Sequence, residues 1–190
     1  MTTPDLPEVQ VKSRQDLRAW LSEHHTQGQS IWLITFKKHS PHYLSFDDIV
    51  SELLAWGWVD SRTRMVDGDR SALLVAPRNP KSAWSAINKA KIETLRKDGL
   101  MQPAGEALVR AAKANGMWTF LDDVERLEVP KDLQQALGDL RTVWDGWPRS
   151  IKRGTLEWVK SAKTAPTRAR RIADVVSSAG SGQRPSPFRR

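Results

Sequence analysis

Hydrophobic positions change their period several times along the chain, and each change marks an element. Leu17, Trp20 and Leu21 give the stripe of a short helix, which Ser13 and Asp16 can cap and which ends before Gly28. Ile31 to Phe36 is a compact apolar run bounded by Lys37 and Lys38, as expected of a strand. Phe46, Ile49, Val50, Leu53 and Leu54, after a Ser45/Asp48 cap, form a second amphipathic helix. Two strand-like runs then flank Asp67-Gly68, residues that tolerate the positive φ of a hairpin turn.

In the first of these runs the side chains alternate. Trp58, Asp60, Arg62 and Arg64 are expected on one face, and Val59, Ser61, Thr63 and Met65 on the other. The second run, Ser71 to Ala76, is continuously apolar at Leu73, Leu74 and Val75, which suits a strand covered on both faces. Pro77 and Pro80 end the sheet. Ser82 then caps a helix reaching about Asp98, with Trp84, Ile87, Lys91 and Leu95 on one stripe and Ser85 and Asn88 beside it.

The pattern after Gly99 is helical throughout. Pro103 opens a helix with a small-residue stripe, Ala104, Ala107, Leu108, Ala111 and Ala112, that Asn115-Gly116 stops. Trp118, Phe120 and Leu121 read as core anchors. Leu133, Leu137, Leu140, Val143, Trp144 and Trp147 continue an apolar face until Pro148 breaks it. Ser150 to Ala162 forms a further helix. A last helix, capped by Thr164, has Ala169, Ile172, Ala173 and Val176 as its inner stripe, and Arg168, Arg170 and Arg171 outward.

The fold class is α+β: a small antiparallel sheet of about three strands with helices packed on it, then an all-helical C-terminal part. The expected organisation is a flexible leader over 1–12, an α+β core over 13–98, a helical region packed on that core over 99–176, and a disordered basic tail over 177–190.

Composition narrows the chemistry. The chain has no cysteine, which excludes disulfides, thiol nucleophiles and cysteine-based metal sites. Nine tryptophans call for extensive burial. The N-terminus lacks a basic region followed by an apolar one, and no apolar run approaches a membrane span, so a cytoplasmic chain is expected.

The net charge of +8 is concentrated in residues 141–190, with 12 Lys+Arg against 3 Asp+Glu; the remainder of the chain has 18 against 19. That asymmetry points to an acidic partner, nucleic acid being the commonest. Its candidate contacts are Arg149, Lys152, Arg153, Lys160, Lys163, Arg168, Arg170 and Arg171. No helix-turn-helix, zinc-finger or RNA-recognition-motif signature accompanies them.

A second set of residues offers a polar pocket: Asp60, Arg62 and Arg64 on the strand with Arg78, Ser82, Trp84, Ser85 and Asn88 at the helix start, where an anion is favoured. The competing structural reading makes Asp60 and the arginines an ion-pair ladder. His39 and His42 have ligand-like spacing, but no acidic or sulfur cluster completes a metal site, and no metal or cofactor is expected.

The segments GWVDSRTR, APRNPKSAWSAIN, GLMQPAG, VPKDL and PRSIKRGTLEWVKSAKTAPTRARRI resemble the bacterial YdeI/OmpD-associated family, also called bacteriocin-protection proteins. The likeness runs from about Lys12 to about Val176, and it departs at Ala55-Trp56, where the family often has Cys-Phe. The resemblance implies a role connected with bacteriocin resistance and an outer-membrane porin, and supplies no catalytic residue.

The reading that follows is a non-catalytic stress or resistance accessory protein that binds a partner or ligand. The alternatives are nucleic-acid binding through the basic C-terminal helices, and an enzyme with Asp60 as base and Arg62, Arg64 or Arg78 as anion clamps. The enzyme reading lacks a phosphate loop, a serine elbow or a metal motif.

Overall fold

The structure is a computed structural model that describes residues 6–189. It divides into two compact units after Thr119.

The first unit is built on a sheet of four strands, β1 (Glu8–Gln10), β2 (Ile31–Phe36), β3 (Trp58–Met65) and β4 (Arg70–Pro77), in the order β1-β2-β4-β3. The sheet is mixed: β1 runs parallel to β2, while β4 pairs antiparallel with both β2 and β3. The fourth strand corrects two expectations, the count of about three and the flexible leader. Its sequence is too short to show a period, and its backbone pairing with Trp32, Leu33 and Ile34 holds it. The leader residues before Leu6 lie outside the described residues.

The continuous apolar run of β2 is explained by burial on both faces. Ile31 and Leu33 join Leu73, Val75 and Trp58 against α1 (Arg14–His24) and α2 (Phe46–Ala55), through Leu17, Leu21, Ile49 and Leu53. Trp32 and Ile34 join Ala72 on the opposite face, where Leu6, Val66 and Leu74 pack.

α2 is buried on a second side by α3 (Ala86–Lys97) and α4 (Pro103–Ala114), where Val50, Leu54 and Ala55 meet Ile92, Leu95, Val109 and Ala112. The backbones of α2 and α4 come so close at Gly105 that an added Cβ would lie 2.3 Å from the Ala55 carbonyl oxygen. The small-residue stripe of α4 therefore serves the first unit.

Two sequence expectations fail at α3. Its N-cap is Ser85, whose hydroxyl accepts from the Asn88 amide at 3.3 Å, and not Ser82, which is exposed in a turn. The buried stripe also differs, because packing against α2 and α4 selects it. Ile92 and Leu95 are buried, Ile87 is 70% exposed, and Trp84 precedes the helix, tied by its amide to the Met117 carbonyl at 3.2 Å.

The second unit comprises α5 (Asp122–Glu125), α6 (Lys131–Leu137), α7 (Arg141–Asp145), α8 (Arg149–Lys160) and α9 (Ala165–Gly180). The inner residues of α9 are Ile172, Val175, Ser178 and Ala179, while Ala169 and Ala173 are exposed. The tail expected to be disordered is structured up to Arg189. α9 continues to Gly180, the Gln183 amide donates to the Ser178 carbonyl at 2.8 Å, and a 3-10 turn at Ser186–Phe188 follows. Phe188 lies over Gly154, and Arg189 donates to the Ser178 hydroxyl at 3.0 Å. A composition low in apolar residues conceals this docking, because it rests on one aromatic ring, a buried proline and a few hydrogen bonds.

No helix among the described residues is long and apolar enough to cross a membrane.

Candidate functional site: a hydroxyl-floored apolar pocket

The strand β3 does not alternate as a plain strand would. Asp60 pairs with Val75 but Thr63 with Leu73, so β3 spends three steps where β4 spends two. This is a β-bulge, and one extra residue exchanges the faces of everything beyond it. Thr63 and Met65 consequently share the Trp58 and Val75 side of the sheet, while Arg64, opposite Ala72, is on the other side. The expected common face of Trp58, Asp60, Arg62 and Arg64 is thus split.

On the α2 side the bulge completes a pocket. Thr35, Ser71 and Met65 are successive cross-strand partners on β2, β4 and β3, and Leu73 and Thr63 form the adjoining row. The opposite wall comes from Tyr43, Leu44, Phe46 and Ile49. Ser45 caps α2, accepting from the Asp48 amide at 3.1 Å, and this places Phe46 at the first helical position with its ring 55% exposed. The sequence had put Phe46 in the buried stripe. Tyr43 is held by a bridge to Phe36, and the Lys37 ammonium at the rim donates to the Asp67 carbonyl at 2.7 Å.

The cavity measures about 200 Å³. Tyr43 and Phe46 line it and Met65 stands beside Thr63 at its edge. Among the described residues these are three of the four exposed large hydrophobics, the fourth being Ile87. Apolar walls with a few convergent polar groups are the usual character of a ligand pocket. Sequence reasoning missed it. The available signal was the hydroxyl of Thr35 in an apolar strand, but its partners come from separate segments.

The residues of the earlier polar pocket go to different places. Asp60 is half-buried and its carboxylate has no hydrogen bond or ion pair among the described residues, so the alternative ladder with the arginines is not formed either. Arg62 and Arg64 lie over the Trp32 ring at 5.7 and 4.7 Å, and Arg64 is paired with Glu8. Arg78 is 7% exposed, stacks on Trp84 at 4.0 Å and donates to the Ala83 carbonyl at 2.6 Å, while its Nε is buried without a partner. Burial lowers its pKa from the ordinary guanidinium value. Ser85 and Asn88 form the cap of α3. Arg78, Trp84 and the α3 cap are thus near in sequence to one another, and the β3 residues belong to other surroundings.

In the second unit, six of the eight basic candidates have partners on the chain. Arg149 and Lys152 donate to the carbonyls of Glu125 and Asp145. Arg153 pairs with Glu125 and Glu157, Lys160 with Asp123, and Arg168 with both oxygens of Asp132. Arg171 reaches the Trp158 carbonyl and the Ser161 hydroxyl. Lys163 and Arg170 are exposed and have no partner among the described residues. The outward placement expected for Arg168 and Arg171 is corrected by these contacts. Long side chains let a residue off the buried stripe tie neighbouring elements together.

Two cavities flank Arg168. One of about 160 Å³ includes Asp123, Leu156 and Lys160, and an open groove of about 670 Å³ runs between α6 and α9 over Ala169 and Ala173. His39 is bonded to Asp69 at 2.9 Å, and no group of three His, Asp or Glu that could hold a metal occurs among the described residues.

Residues 9–108 match the family described as a domain of unknown function (DUF8412), just over half of the 190 residues. The chain belongs to this family. Every residue of the hydroxyl-floored pocket lies within the DUF8412 match. Residues 126–182 match the family described as bacteriocin-protection, YdeI or OmpD-associated. The resemblance read from Lys12 to Val176 is therefore carried by that family in the second unit. No curated protein and no solved structure matches the DUF8412 chain.

Proposed function

We propose that this DUF8412 protein is a non-catalytic, cytoplasmic accessory protein of the YdeI/OmpD-associated type, acting by binding an apolar group in the pocket between the sheet and the start of α2. One observation carries the reading. Among the pocket's lining residues only Lys37 is charged at neutral pH, and its ammonium is engaged with a backbone carbonyl. General acid–base or nucleophilic chemistry needs a pair of groups within hydrogen-bond reach, and hydroxyls amid apolar walls suit recognition instead. The nucleic-acid alternative draws less support, since most of its cations are committed to partners on the chain.

The test follows from the matched family's description. Bacteria expressing the protein are challenged with a bacteriocin, and survival is compared with cells expressing a Tyr43→Ser, Phe46→Ser double variant. Both residues are exposed, so the variant is expected to keep its circular dichroism spectrum and lose protection. A folded variant that protects as well as the parent rules the pocket out as the functional site.

A further inference from the structure

The pocket reaches Thr63 on β3, an edge strand of the sheet. In the sheet order β3 has a neighbour on one side only among the described residues, and its residues from Ser61 to Met65 are all exposed. An edge strand offers unpaired N–H and C=O groups to any extended chain. In an antiparallel pair, residues alternately turn their backbone groups toward the partner and away from it. The Val66 amide donates to the Arg70 carbonyl at 3.3 Å, so Val66 faces β4, and Met65 and Thr63 direct their own N–H and C=O outward. The bulge blunts the edge between Asp60 and Thr63 but leaves regular pairing from Thr63 to Met65.

The two residues with outward backbone groups are those whose side chains border the pocket. A strand laid against them would share their pleat. Its residues beside Thr63 and Met65 would project toward Tyr43, Phe46 and Leu73. Its alternate residues would project to the opposite face, where Arg62 and Arg64 lie over Trp32. Arg62 has no carboxylate partner among the described residues, and the partner of Arg64, Glu8, is half exposed at 53%.

Resting on the binding role proposed for this pocket, we infer that its occupant is a side chain of an extended peptide that adds to β3 as a fifth strand, with apolar and acidic residues in alternation. Main-chain hydrogen bonds supply the attachment, the pocket selects the apolar positions, and the two guanidiniums select the acidic ones. A nucleic-acid strand would meet the arginines but offers no amide ladder to β3.

The experiment uses the full chain and a fluorescein-labelled peptide, Asp-Leu-Glu-Phe-Glu-Leu-Asp, followed by anisotropy at physiological salt. The alternating peptide is expected to bind at least tenfold more tightly than a scrambled peptide of the same composition. N-methylation of the alternate amides facing β3 should abolish the binding. Arg62→Glu should weaken it, and exchanging the peptide's acidic residues for lysine should restore affinity to that variant. Equal binding of the ordered, scrambled and N-methylated peptides overturns strand addition, as does equal binding of an oligothymidine of matched charge. Loss of bacteriocin protection in the Tyr43→Ser, Phe46→Ser variant, together with indifference to peptide order, removes this inference and leaves the pocket reading standing.

Discussion

Glu52 is withdrawn completely from solvent on α2, with Arg14 Nε at 2.6 Å from one carboxylate oxygen and Arg18 Nε at 3.0 Å from the other. The two arginines are each more than a third exposed, so either alone can keep the carboxylate paired while its own charge is solvated. Arg14→Ala or Arg18→Ala alone is expected to cost about 1 kcal/mol, and the double variant about 3 kcal/mol or more, because it strands a buried charge. Additive losses in urea titration would show that the two pairs act separately.

Acid titration reads another set of residues. The Arg96 hydrogen bond holds Glu106 below the usual carboxylate range, and Arg168 does the same for Asp132. A depressed folded pKa contributes stability above the unfolded value of about 4 that is lost as pH falls through the folded one. Glu106→Gln should therefore lower stability by a constant amount at neutral and alkaline pH and flatten the fall below about pH 4. An unchanged acid limb in a pH series of thermal melts would count against this pairing. Apart from Arg168, expected to meet an acidic partner, none of these residues was singled out in the sequence, because each pair joins residues whose proximity only the fold creates. Glu52 looked like any polar position on an amphipathic helix.

Among elements, the apolar periods of α1, α2 and β2 were legible because burial imposes them directly. The start of α3 was not, since Ser82 and Ser85 are both good caps by type and only Trp84, anchored to Met117, selects between them. Ser85→Ala is expected to cost about 1 kcal/mol, and Ser82→Ala a few tenths at most. Equal losses in chemical denaturation would contradict the assignment. The α2–α4 crossing has no side chain at its nearest point. Gly105→Ala must push a methyl into the Ala55 and Leu54 carbonyls and should destabilise the first unit by about 2 kcal/mol or more, a change to be read by thermal melting. The small-residue stripe announced such a contact without saying which helix would meet it.

For the whole molecule, the charge of the last fifty residues was legible as a number but not as a surface. Arg168 clamps α9 to Asp132 at the head of α6, and Arg171 sits over Trp158 and bonds the end of α8. Replacing Arg168, Arg170 and Arg171 together by Glu is thus expected to lower the melting temperature of the full chain, whereas Arg170→Glu alone should leave it unchanged. The candidate pocket was illegible for a related reason: β3 carries one residue more than its partner between Asp60 and Thr63, and no pattern of polar and apolar residues in so short a run fixes where an insertion falls.

That single residue works as a phase shift. Before it, β3 speaks to the helices through Trp58; after it, the same parity would have delivered Arg64 into the apolar interior and Thr63 to the arginine face. Removing Ser61 would take out the surplus step, set Arg62 opposite Leu74 in a regular ladder, and leave Thr63, Arg64 and Met65 at their present addresses. A deletion there should consequently be absorbed with little change in the melting temperature, whereas deleting Arg64, inside the regular pairing, should prove far more damaging although both residues are exposed.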